Sequence, residues 1–138
     1  MLTILWTWQN SSFQAKVLAN SGNSFGLSGN DVLLDFCVSV PGRVTFSLCD
    51  PGSADFDTWL YLAKAEDVQE PSDLQSAGAA VSDNNDYCGK QSQITHAFDE
   101  TGCFVLGLDH GYRSSAEGSP QSYVLAVICE GAAQLAAL

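Results

Sequence analysis

Apolar and polar residues alternate with a period of two in one stretch of this chain after another, the signature of β-strands with a single buried face. Asp31 to Val40 (DVLLDFCVSV) sets Leu34, Phe36, Val38 and Val40 on one face, with Asp35, Cys37 and Ser39 on a wet one. Pro41-Gly42 interrupts it, and Arg43 to Cys49 resumes with Val44, Phe46 and Leu48 inward, so the two runs are expected to pair as a hairpin. Thr58, Leu60 and Leu62 then alternate with Trp59 and Tyr61, and Gln93 to Phe98, Cys103 to Asp109 and Ser122 to Cys129 repeat the pattern. Near the start, Ile4, Trp6 and Trp8 alternate with Thr3, Leu5 and Thr7, and Phe13 to Leu18 forms a second short run.

No stretch carries a convincing helical period. Short strands separated by glycine, proline and asparagine predict an all-β fold, an antiparallel β-sandwich or jelly roll of about eight strands. A chain of 138 residues is long enough for one such core, so 1–138 is read as a single domain. Residues 1–30 supply the N-terminal strand or strands and a glycine-rich loop, 31–130 the core, and 131–138 a tail. Ala63 to Val81, with Glu66, Asp67, Glu70, Pro71 and Asp73, reads as a solvated connection with a helical turn at 72–75.

Charge narrows the partners. Sixteen Asp and Glu against five Lys and Arg leave a net charge of -11, which excludes nucleic acid and anionic membranes because phosphate binding depends on clustered Lys and Arg. Leu2 to Trp8 lacks the basic flank and small-residue site of a signal peptide and is too short to span a bilayer, so it is read as a strand. Five cysteines with no CxxC or CxxxC fit two disulfides plus one thiol in an extracellular protein, and make a zinc knuckle improbable. If 103–109 and 122–129 pair as a hairpin, Cys103 lies near Cys129. Cys49 with Cys88 is the second expected bridge, and Cys37 is left over; the rival is Cys37 with Cys129 and Cys103 free. Asn10-Ser11-Ser12 is an N-glycosylation sequon, of use only on a secretory route.

The side chains offer three kinds of chemistry. Asp55, Asp57, Asp83, Asn85 and Asp86 crowd carboxylates and an amide around one region, a donor set suited to calcium. They do not follow the EF-hand spacing, and the competing reading has Asp57 and Asp86 satisfying backbone N–H groups at turn ends. Trp59, Tyr61, Tyr87 and Tyr112 could stack on a sugar or grip an extended peptide, against core packing as the plainer role. Only His96 and His110 could serve as neutral-pH bases, and no G-x-S-x-G elbow accompanies them. A Cys–His pair using Cys37 or Cys103 is the remaining catalytic arrangement, and oxidation of the cysteine would disable it. No enzyme is expected, and no cofactor beyond calcium.

The ordered segments VTFSLCDPGSADFDTWLYL, VSDNNDYCG, QSQITHAF, TGCFVLGLDHGY and GSPQSYVLAV resemble the bacterial pre-peptidase C-terminal domain, a β-sandwich related to collagenase collagen-binding domains. The likeness spans roughly 31–130. Asn84-Asn85-Asp86 stands where that family favours consecutive aspartates, and Cys103-Phe104-Val105 where it favours Thr-Tyr-Tyr. The resemblance implies a secreted, non-catalytic module that binds or adheres to an extracellular protein or glycan. The unpaired cysteine and the apolar N-terminal segment keep a second expectation open: a structural subunit of a filament or surface assembly that associates by strand addition.

Overall fold

The alternating runs fold as strands in a computed structural model that describes residues 3–9, 12–18, 32–50, 52–54, 57–70, 73–74, 80–84, 87–110 and 123–137. Among the described residues there are eleven strands: β1 (Thr3–Gln9), β2 (Ser12–Leu18), β3 (Val32–Val40), β4 (Gly42–Ser47), β5 (Ser53–Ala54), β6 (Thr58–Lys64), β7 (Ala80–Asn84), β8 (Gln93–Phe98), β9 (Gly102–His110), β10 (Tyr123–Cys129) and β11 (Gln134–Ala137). They form two antiparallel sheets. Sheet A has the order β1-β2-β10-β4-β8 with the short β5 also on β10, and sheet B the order β11-β3-β9-β6-β7.

The chain is therefore the expected β-sandwich, and the pairing explains its winding. Four ladders join β2 to β10, β3 to β9, β4 to β8 and β6 to β7, nested one inside the next along the sequence. A long antiparallel ribbon folded in half makes such nested pairs. Rolling that ribbon up lays β10 against β4 in one layer and β9 against β6 in the other, which is jelly-roll winding.

The core lies between the layers and is made by the inward series read from the sequence. Leu34, Phe36 and Val38 on β3, Val44 and Phe46 on β4 with Leu48 just beyond it, Leu60 and Leu62 on β6, and Leu125 and Val127 on β10 are all buried together. Phe46 is central, its ring 5.4 Å from that of Phe36. Burying a side chain of this size stabilises the fold by roughly 1.5–3 kcal/mol relative to leaving it in water.

The outer face of sheet B is covered too. Tyr61, Ala63 and Val105 pack there with Leu74, which is fully buried, so the connection after β6 crosses this face instead of standing free in solvent. A 3-10 turn at Ala65–Asp67 begins the crossing. The Asp73 carboxylate then accepts hydrogen bonds from the backbone N–H groups of Gln69 (2.8 Å) and Glu70 (3.0 Å) and fixes the bend that drives Leu74 inward. The helical turn expected at 72–75 falls partly outside the described residues.

Three expectations about neighbours are corrected. β3 and β4 do not form a hairpin: they lie in different sheets, and Pro41-Gly42 is the corner between layers. Gly42 is required there, since a Cβ on it would lie 2.6 Å from the Cβ of Ala133. β9 and β10 are not a hairpin either, because both edges of β9 are already taken by β3 and β6. The C-terminal residues are no tail: β11 adds to β3 and buries Leu135.

Candidate functional site

Cysteine pairing follows from the sheets. Cys37 and Cys103 are direct partners in the β3–β9 ladder, with Cα atoms 3.9 Å apart, and are bonded to each other. Cys49 and Cys88 form the second disulfide, as expected. The expected Cys103–Cys129 bridge is absent because β9 and β10 occupy opposite layers. Cys129 is a free thiol buried in the core, and burial pushes its pKa up, away from the reactive thiolate. Cys37 and Cys103, the two candidates for a catalytic Cys–His pair, are thus both oxidised.

The same two strands, β6 and β8, have contrasting ends. At the start of β6, Thr58 is fully buried beside Ser92, the residue before β8. Their hydroxyls are 2.9 Å apart, and the Ser92 hydroxyl also donates to the Thr58 carbonyl at 2.7 Å. The Thr58 N–H donates to Lys90 O (3.0 Å) and the Leu48 N–H to Ser92 O (3.0 Å). Cys88 ties the adjoining turn to Cys49, and Gly89 takes the positive φ of 74° the turn needs. This end is closed.

At the other end the core runs out into a groove of about 560 Å³. Inward positions explain it. Along β6 the series Leu60, Leu62 is continued by exposed Lys64; along β8 the series from Ile94 passes through half-buried His96 before Phe98. Phe104, opposite Lys64 in the β6–β9 ladder, is half-buried at the floor, its ring 4.7 Å from Phe98 and 5.9 Å from Phe36. His96 meets Phe98 edge-on at 4.7 Å. Glu66, Asp99, Glu100 and Thr101 form the rim with Lys64. Burial lowers the His96 pKa, and the negative charge of Asp99 opposes that shift in part, so the imidazole is neutral at pH 7. The arrangement can offer an aromatic floor, a neutral imidazole and a rim of three carboxylates and one ammonium.

Most residues singled out from the sequence lie elsewhere. Asp57 is half-buried just before β6, and Asp83 is on β7 in register with Tyr61. Asp55, Asn85 and Asp86 lie outside the described residues, as do Asn10 and Tyr112. Among the described residues no three His, Cys, Asp or Glu groups converge to hold a metal ion. Tyr61 is 5% exposed beneath the Leu74 crossing and stacks on Trp59 at 5.5 Å, so it packs and is not offered to a ligand. Trp59 shares that cluster, half-buried. Tyr87, in contrast, is 61% exposed on the disulfide-tethered turn. His110 pairs with Thr58 at the other end of the β6–β9 ladder from the groove.

The groove residues Lys64, Glu66, Asp99, Glu100 and Phe104 were not picked from the sequence. A signal existed: Lys64 and His96 are polar at inward positions near the same ends of two strands. No family model and no curated protein matches the chain. Among the described residues no helix is long and apolar enough to cross a membrane.

Proposed function

We propose that this chain is a secreted, non-catalytic binding or adhesion module that recognises an extracellular polymer, protein or glycan. The observation that carries the reading is the groove: a wide concavity with an aromatic floor and a polar rim, on a scaffold stapled by two disulfides. Two disulfides suit an oxidising compartment. The ordered motifs that resemble the pre-peptidase C-terminal domain support the same reading. His96 serves it as a hydrogen-bonding group on the groove wall, kept toward its neutral form by burial. Retention of the purified protein on insoluble collagen and polysaccharide resins tests the proposal. Binding to at least one resin, lost in Phe104→Asp, is expected; passage through every resin overturns it.

A second reading has its own observation. β1 is the edge strand of sheet A, paired on β2 alone among the described residues. A long edge strand can add to a neighbouring copy, making the chain a structural subunit of an extracellular filament. Filaments in negative-stain images that vanish on deletion of residues 1–9, with the core still folded, would favour this reading; a monomer at all concentrations would end it.

A further inference from the structure

We infer that the β8 edge and the groove beside it form one site for an extended basic peptide, which adds to sheet A as a strand and sets cationic side chains against the acidic rim. The inference rests on the binding-module reading and names its ligand class. Three observations meet there.

The first is the open edge. β8 ends sheet A; β7 of the other sheet packs near it, but among the described residues no strand pairs with its far side. The direction of its backbone groups follows from the ladder. Leu48 N–H donates to Ser92 O, so Leu48 and Ser92 are a hydrogen-bonded pair, and every second pair along the ladder (Phe46 with Ile94, Val44 with His96, Gly42 with Phe98) is of the same kind. Thr95 and Ala97, in between, send N–H and C=O groups away from β4. The 2.9 Å contact of the Thr45 and Thr95 hydroxyls fits the closer, non-hydrogen-bonded spacing of that pair. Thr95 and Ala97 are also exposed, so a strand can approach them.

The second is the apolar floor. A strand laid on β8 presents alternate side chains to the inner face, where His96, Phe98 and Phe104 line the groove. The third is charge. Glu66, Asp99 and Glu100 are exposed on the rim against the single ammonium of Lys64, a balance of three carboxylates to one cation. A chain of net charge -11 adds a long-range field of the same sign, which attracts a basic segment and repels an acidic one. A neutral glycan could accept the rim's hydrogen bonding but would gain nothing from its net charge or from backbone groups spaced for a strand, so a basic peptide is the occupant the site favours.

The test titrates the full chain into fluorescein-labelled hexapeptides of alternating Val and Lys, or Val and Glu, and reads anisotropy. The Lys peptide is expected to bind at least tenfold more tightly at low salt, with the gap shrinking as salt rises. Two further Lys peptides, N-methylated at either set of alternate amides, separate strand addition from charge alone: one set should abolish binding and the other leave it, because an added strand uses only every second N–H. Glu66→Gln with Glu100→Gln should erase the preference for Lys over Glu. Equal binding of both peptides, binding of neither, or indifference to methylation on both sets overturns the inference. If the resins still retain the protein in that case, the binding-module reading stands and only this ligand class falls.

Discussion

β6 and β8, in opposite layers, run from a closed end to an open one, and the two ends solve opposite problems. At Thr58 and Ser92 polar groups are taken out of water entirely, and each is matched by a hydroxyl, a carbonyl or a backbone N–H within 3.0 Å. At Lys64 and His96 the inward series of the same two strands turn polar, and a concavity opens whose charges face solvent. A buried hydroxyl without a partner costs about 1–3 kcal/mol, so the closed end must be complete. An exposed charge costs little and can wait for a ligand. Matched, buried polar groups are concentrated at one end of these strands, and the proposed recognition site lies at the other.

The largest way to break this contrast is to remove the staple of the closed end. Cys49→Ser with Cys88→Ser opens a loop of sequence separation 39, which the chain-entropy account values at about 4 kcal/mol; the loss should appear in the urea midpoint of the oxidised protein. Peptide or polymer binding per folded molecule should be unchanged, since the groove lies at the far end.

Next in size, Leu74→Ala empties the fully buried anchor over the outer face of sheet B and should cost roughly 2–4 kcal/mol by urea denaturation. A loss below about 0.5 kcal/mol, the range of ordinary surface substitutions, would show that the crossing is not packed in solution. Thr58→Val removes one hydroxyl from the buried pair while keeping the shape, and should cost about 1–2 kcal/mol.

The smallest effect belongs to the open end. His96 has its folded-state pKa lowered from 6.5 by burial, so the unfolded chain takes up the proton first as pH falls. Its contribution to stability is present above that unfolded value and is lost as pH drops through the lower folded pKa. Urea midpoints measured downward from about pH 6.5 should therefore fall more steeply for the wild type than for His96→Gln. Parallel curves would mean that the imidazole is hydrated and the groove wider than described.

Much of this was legible in the sequence, and unevenly. The eight strands read from alternation are all present, and their inward residues, from Leu34 and Phe36 to Leu60, Leu62 and Val127, form the core. Three strands escaped: β5 has two residues, β7 lies inside a polar run, and β11 is alanine-rich with Leu135 as its main apolar residue. Of the candidate aromatic site, Tyr61 is packed and Tyr87 exposed, a division that depends on Leu74 crossing the sheet from thirteen residues further along. The groove was hidden for a related reason. Lys64 and His96 each look like a minor break in a pattern until the strands that carry them are laid together.

Alternation is a property of each strand alone, written in side chains two residues apart, and so faces and core could be read from residue order. Neighbours could not. Which strand lies beside which depends on how a folded ribbon rolls up, and that decided the partner of Cys103, the layer of β4 and the meeting of Lys64 with His96. A strand edge offers the same backbone groups to any partner, and only the packing of two whole layers selects among them.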